Sequence, residues 1–188
     1  MKEEGKLSAP VADWPTKRRW ADYAFSELEN AGYTVTSAYT AVKNPEATKF
    51  VYRDRLWTGA DMVSLGVASF GHLGGIHYQN LVHIDDYIKK IEEGGAPVRR
   101  ALLTTEEERF LRELILQFKL GRVNLGYFRD KFGEKVEERF SEILADLEQL
   151  GDISREGDEL VLTRDALLRV DSILHRFFLP KHRDSRYV

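Results

Sequence analysis

The sequence predicts a mixed α and β fold in two parts, and three observations carry that prediction. A helical pattern over 16–31 leads directly into the β-branched and aromatic run 33–37, YTVTS. The stretch 64–80, SLGVASFGHLGGIHYQN, takes a short apolar run through paired glycines into histidines and amides. Beyond Leu103 the pattern becomes helical, broken by one glycine-centred hairpin. A chain of 188 residues can hold one large domain or two small ones, each with a real core.

Composition narrows the function classes. Hydrophobic residues at 43% and charged ones at 31% fit an ordinary soluble protein. A formal net charge of −3 gives no global reason to bind nucleic acid or an anionic membrane. The absence of cysteine excludes disulfides and thiolate-held metal or iron–sulfur centres within this chain, and agrees with a reducing compartment. No apolar run is long enough to span a bilayer, and the opening MKEEGKLSAP lacks the apolar core of a secretory signal. The expected location is cytoplasmic.

In chain order, residues 1–15 read as an irregular lead-in with two prolines. Thr16 can cap a helix to about Ala31, with Trp20, Tyr23, Ala24, Leu28 and Ala31 at helical spacing and Gly32 as its stop. Helix followed by strand 33–37 is half of an α/β repeat. Residues 38–60 stay open between helix and loop. DMVSLGV, 61–67, reads as a short buried strand because its apolar residues are nearly continuous. Residues 69–80 read as a tight hairpin about Gly74 and Gly75, which brings His72, His77, Tyr78, Gln79 and Asn80 near one another. These polar groups can equally serve to satisfy backbone in a glycine-rich connection. IDDYIKKIEE, 84–93, is a short amphipathic helix closed by Gly94 and Gly95, and a linker with Pro97 and Arg99–Arg100 follows. The domain boundary falls between Gly94 and Leu103, giving parts at 16–95 and 103–180 and a tail at 181–188.

The second part opens on a capping-box pattern, Thr104 with Glu107 or Thr105 with Glu108, ahead of the stripe Phe110, Leu111, Leu114, Ile115 and Phe118. Helices at about 125–132 and 134–150 follow, then a hairpin turning at Gly157, then a helix capped by Thr163 and stopped by Pro180. Three helices, a hairpin and a helix make a winged-helix-like order. The third helix sets Glu134, Glu137, Glu138, Glu142, Asp146 and Glu148 against only Lys135 and Arg139, so phosphate should be repelled and no nucleic-acid partner is expected.

The order GVASF, a glycine turn, YQN, DDYIKKIEEGG and then the helical module resembles the C-terminal half of oxygen-independent coproporphyrinogen III oxidase and its radical S-adenosylmethionine relatives, which include haem chaperones. The likeness runs from about Gly32 to Phe178. It implies an α+β chain: terminal βα units of an incomplete (βα) barrel, then a mainly helical winged-helix-like cover domain. Full members of that family hold a [4Fe–4S] cluster and S-adenosylmethionine, and convert a propionate side chain of a tetrapyrrole to vinyl. The resemblance places Phe70 against S-adenosylmethionine, with Gly71, Tyr78, Gln79 and Asn80 beside it. The family's three cluster cysteines are absent, so no catalytic residue is expected in this chain, which should be inactive alone. It is then the end of a longer enzyme whose missing N-terminal barrel segment, in the same or a neighbouring polypeptide, is its partner, or a stand-alone tetrapyrrole carrier with His72, His77 or His83 as a haem ligand. A barrel commonly needs about 250 residues, which favours the first reading. His72 and His77 lack a third protein ligand for a zinc site, so no metal site is expected. A third reading has the helical module dock on another protein.

Overall fold

The computed structural model describes residues 11–183. Helix α1 (Trp14–Asn30) begins where Asp13 accepts the Thr16 N–H at 2.8 Å, and it precedes the hairpin of β1 (Thr34–Ser37) and β2 (Thr40–Val42). Helix α2 (Val51–Trp57) resolves part of the open stretch as helix. β3 (Phe70–Leu73) and β4 (Ile76–Asn80) form the expected hairpin, and α3 (Ile84–Glu92) matches the amphipathic segment. Gly74 and Gly75, at φ 56° and 78°, make the left-handed pair that a two-residue hairpin turn requires.

Two readings of this region need correction. Residues 61–67 form no strand: Met62 makes a single bridge to His72, and Val63 and Leu65 stand 65% and 83% exposed. The chain instead turns through positive φ at Gly66 and Ala68, so no ladder can continue. The supposed linker is a strand, β5 (Val98–Leu103), paired antiparallel with β4. All six of its residues are exposed, because it is the edge of the sheet β3-β4-β5.

The helical module runs through α4 (Glu106–Phe118), β6 (Arg122–Asn124), α5 (Leu125–Phe132), α6 (Val136–Arg139), α7 (Ser141–Gln149), β7 (Ile153–Glu156), β8 (Glu159–Leu162), α8 (Arg164–Leu168) and α9 (Val170–Leu174). Both bonds of the Thr105–Glu108 capping box are present. The single helix expected over 134–150 is two, broken at Phe140, whose ring turns inward to pack 5.2 Å from that of Phe177. The last helix breaks likewise at Arg169, which pairs with the nearly buried Asp152. β6 pairs with β8 beside the β7–β8 hairpin, a third strand that its three residues did not announce.

Every pairing among the described residues is antiparallel. Among the described residues the strand after α1 therefore pairs only within a hairpin. The core is just as uneven: apart from Val42, every buried hydrophobic residue lies between Phe110 and Phe177. Trp14, Trp20, Tyr23, Leu65 and Leu103 are exposed. Polar bonds tie the first part to this core. The Ala38 N–H donates to the Lys119 carbonyl at 2.9 Å, Tyr127 Oη donates to the Thr58 carbonyl at 2.9 Å, and Arg164 meets Asp22 at 3.0 Å. No helix among the described residues is long and apolar enough to cross a membrane.

Candidate functional site

Strand alternation divides the hairpin residues between two faces of one sheet. Phe70 is opposite Gln79 and His72 is opposite His77, so these four share a face; Gly71 is opposite Tyr78 on the other. Phe70 stacks on His77 with ring centroids 5.5 Å apart and planes within 8°, and His72 lies 6.3 Å from His77. The sequence places His72, His77, Tyr78, Gln79 and Asn80 near one another; the structure sets His72, His77 and Gln79 on one face with Phe70, and Tyr78 and Asn80 on the other. His83 stands exposed at the start of α3, outside the hairpin.

His72 is buried, and its Nδ1 has no hydrogen-bond partner among the described residues. Burial first and the Arg112 guanidinium next hold both imidazoles below the ordinary histidine range, so both are neutral at pH 7. Arg112, from α4, was not singled out in the sequence. No group of three or more metal-ligating side chains occurs among the described residues.

The amide pair is committed to structure. Gln79 Nε2 donates to the Ala68 carbonyl at 3.1 Å, and its Oε1 accepts from Arg100 Nε at 2.8 Å. Asn80 Nδ2 donates to the carbonyls of Ser64 at 3.3 Å and Gly66 at 3.0 Å. The Ser64 N–H donates to Tyr78 Oη, and the Gly66 N–H to Tyr87 Oη, each at 2.9 Å. Four side chains from two elements, Tyr78, Gln79 and Asn80 of β4 and Tyr87 of α3, thus hold the 64–69 loop, in which Ala68 sits at φ 58°, and Arg100 braces Gln79 from β5. Tyr87 and Arg100 were missed in the sequence, where one reads as a helix residue and the other as half of a basic linker pair. Gly71 is required by the same packing: a Cβ there would run into the Tyr78 ring.

No protein-family model matches the chain. Over 122 residues, 64% of this chain, it is 27% identical to the haem chaperone HemW of Bacillus subtilis, covering 32% of that protein. Over 136 residues, 68% of this chain, it is 29% identical to the oxygen-independent coproporphyrinogen III oxidase of Pseudomonas aeruginosa, covering 29% of it. This chain is similar to a C-terminal part of these haem chaperone and coproporphyrinogen III oxidase proteins. The fold agrees: coproporphyrinogen III oxidase (HemN) from Escherichia coli, a radical S-adenosylmethionine enzyme, matches with a TM-score of 0.66 at 16% identity, over 83% of this chain and 39% of that one. The chain spans about a third of the length of the curated relatives it matches.

The donor set decides what these residues can hold. A [4Fe–4S] cluster does not fit, since no cysteine is present to ligate it, and no redox step follows from these residues. For S-adenosylmethionine the half-exposed Phe70 ring offers an apolar surface, whereas both ends of the Gln79 amide and the Asn80 amide nitrogen are already engaged.

Proposed function

We propose that this chain serves as the C-terminal portion of a radical S-adenosylmethionine protein acting on a tetrapyrrole, with oxidative decarboxylation of propionate to vinyl as its reaction class. In this reading the cluster cysteines and the rest of the barrel come from the same or a neighbouring polypeptide, and the chain alone is inactive. The α1, β1–β2 and β3–β4–β5 segments end the barrel, Phe70 packs against S-adenosylmethionine, and the winged-helix-like module from Leu103 covers the substrate opening. One observation carries the need for a partner: among the described residues the first part buries almost no hydrophobic residue of its own, while Trp14, Trp20 and Tyr23 face outward. An immunoblot of source cells with an antibody against residues 103–188 tests it. A band near the relatives' full length, or co-purification of a cysteine-containing barrel chain, is expected. A lone band at 188 residues with no such companion would overturn it.

The relative named as a haem chaperone favours a second reading, a tetrapyrrole carrier. Of the three histidines, His77 is the best ligand, being neutral, partly accessible and braced by Phe70; His72 is buried and His83 is unsupported. Haem titration of the chain should show a histidine-ligated Soret band that His77→Ala removes and His83→Ala leaves. Equal affinity in all three alanine variants would end this reading.

A further inference from the structure

The sheet face turned away from Phe70 borders a hollow of about 420 Å³. Leu73, Ile76 and Tyr78 form its floor, Leu65 one rim, and Tyr87 and Ile91 of α3 its far wall. That volume lies within the ~300–1,000 Å³ range typical of small-molecule sites, and the lining is apolar apart from a few polar groups, as such sites are.

Two features make the hollow more than an uncovered surface. Its rim is rigid, because the 64–69 loop is fixed by the Tyr78, Tyr87 and Asn80 bonds described above. Each phenol also accepts a backbone N–H at 2.9 Å, from Ser64 and from Gly66, yet neither phenol proton has an acceptor among the described residues. Two phenol hydroxyls, each anchored by a loop N–H and each keeping a proton to donate, therefore belong to side chains that border an apolar hollow, their anchors two residues apart along the loop. A buried or half-buried hydroxyl ordinarily finds an acceptor, so these donors define what a ligand must bring.

We propose that this hollow binds a small, largely apolar molecule bearing a carboxylate or carbonyl oxygen, which accepts the phenol protons of Tyr78 and Tyr87 while its body packs on Leu73, Ile76 and Ile91. The site is separate from the cofactor face, since strand alternation turns Phe70, His77 and Gln79 to the opposite side.

Isothermal titration of the full chain with 2-naphthoate tests the assignment, with 2-methylnaphthalene as the acceptor-free control. Saturable binding at one site is expected. Ile91→Trp, which fills the hollow without touching the loop bonds, should weaken it at least tenfold. Tyr87→Phe should weaken it about three- to tenfold, the effect of one lost hydrogen bond, and should leave the control unchanged. No saturation at millimolar 2-naphthoate, or binding that Ile91→Trp leaves intact, would overturn the proposal. A parallel titration with protoporphyrin IX keeps the two readings apart: porphyrin binding that survives Ile91→Trp leaves the tetrapyrrole reading standing whatever becomes of the hollow.

Discussion

Replacing Asn80 by alanine should release one loop and spare the core. Asn80 is only 2% exposed, and its amide nitrogen holds the Ser64 and Gly66 carbonyls at 3.3 and 3.0 Å. Each bond contributes about 1 kcal/mol net, and its loss leaves a carbonyl short of a partner, so the local cost is about 2–3 kcal/mol. At about 1.4 kcal/mol per factor of ten, amide exchange at Ser64 and Gly66 should accelerate about 30- to 150-fold. Those N–H groups are informative probes because each has one named acceptor, Tyr78 Oη or Tyr87 Oη. Amides of α4 and α9, which pack in the separate cluster between Phe110 and Phe177, should exchange as before. Hydrogen exchange read by NMR or mass spectrometry decides it. Unchanged exchange at 64–69, or an equal rise throughout the chain, would refute the claim that Asn80 acts locally as a clamp.

Three other outcomes follow from the same structure. Ala68→Gly should stabilise the loop by about 0.5–1 kcal/mol, as relief of a left-handed alanine outweighs the extra chain entropy of glycine, and it should slow exchange at Gly66. Phe110→Ala should cost about 3–5 kcal/mol in urea unfolding, because Phe110 is fully buried with the Phe128 and Phe132 rings at 5.1 and 5.4 Å. Glu108 has its pKa lowered from 4.5 to about 2, first by the Lys181 hydrogen bond and then by Thr105 and His182. A depressed acid stabilises above its unfolded value and loses that contribution as pH falls from about 4.5 to 2. With Lys181 and His182 both more than a third exposed, the contribution is on the order of 1–2 kcal/mol after screening, and Glu108→Gln should flatten melting temperature across that window.

What the sequence revealed depended on whether a signal was local. The Gly74–Gly75 turn, the Thr105–Glu108 box and the 3.6-residue stripe from Phe110 to Phe118 each state their structure within a few residues, and each is present. β5 was illegible because an edge strand with six exposed residues shows no alternation, and Pro97 with Arg99–Arg100 imitates a linker. The 61–67 run failed for the opposite reason. Its apolar residues look buried in isolation, but a strand needs a neighbour, and here only the Met62–His72 bridge supplies one. The breaks at Phe140 and Arg169 come from distant partners, Phe177 and Asp152, which no helical pattern records. The site was half legible. Gly71, His72, His77 and the amides could be named from the sequence, but not which face each would occupy, nor that Tyr87 and Arg100 would join them.

The hydrogen bonds also sort the two roles that the Tyr78–Gln79–Asn80 triplet could have had. An amide that contacts a ligand must keep a donor or acceptor free, and Gln79 spends both ends on Ala68 and Arg100. Asn80 directs its nitrogen wholly at the loop. These residues act by holding the 64–69 loop, so any recognition on the Phe70 face falls to the stacked Phe70 and His77 rings, an apolar and uncharged pair at neutral pH. On the other face the triplet leaves the Tyr78 phenol proton, matched by that of Tyr87, and the Asn80 Oδ1 acceptor, which has no hydrogen bond among the described residues. One short strand thereby fixes the loop with its amides and gives the sheet two chemically different surfaces, because strand alternation turns successive side chains to opposite sides.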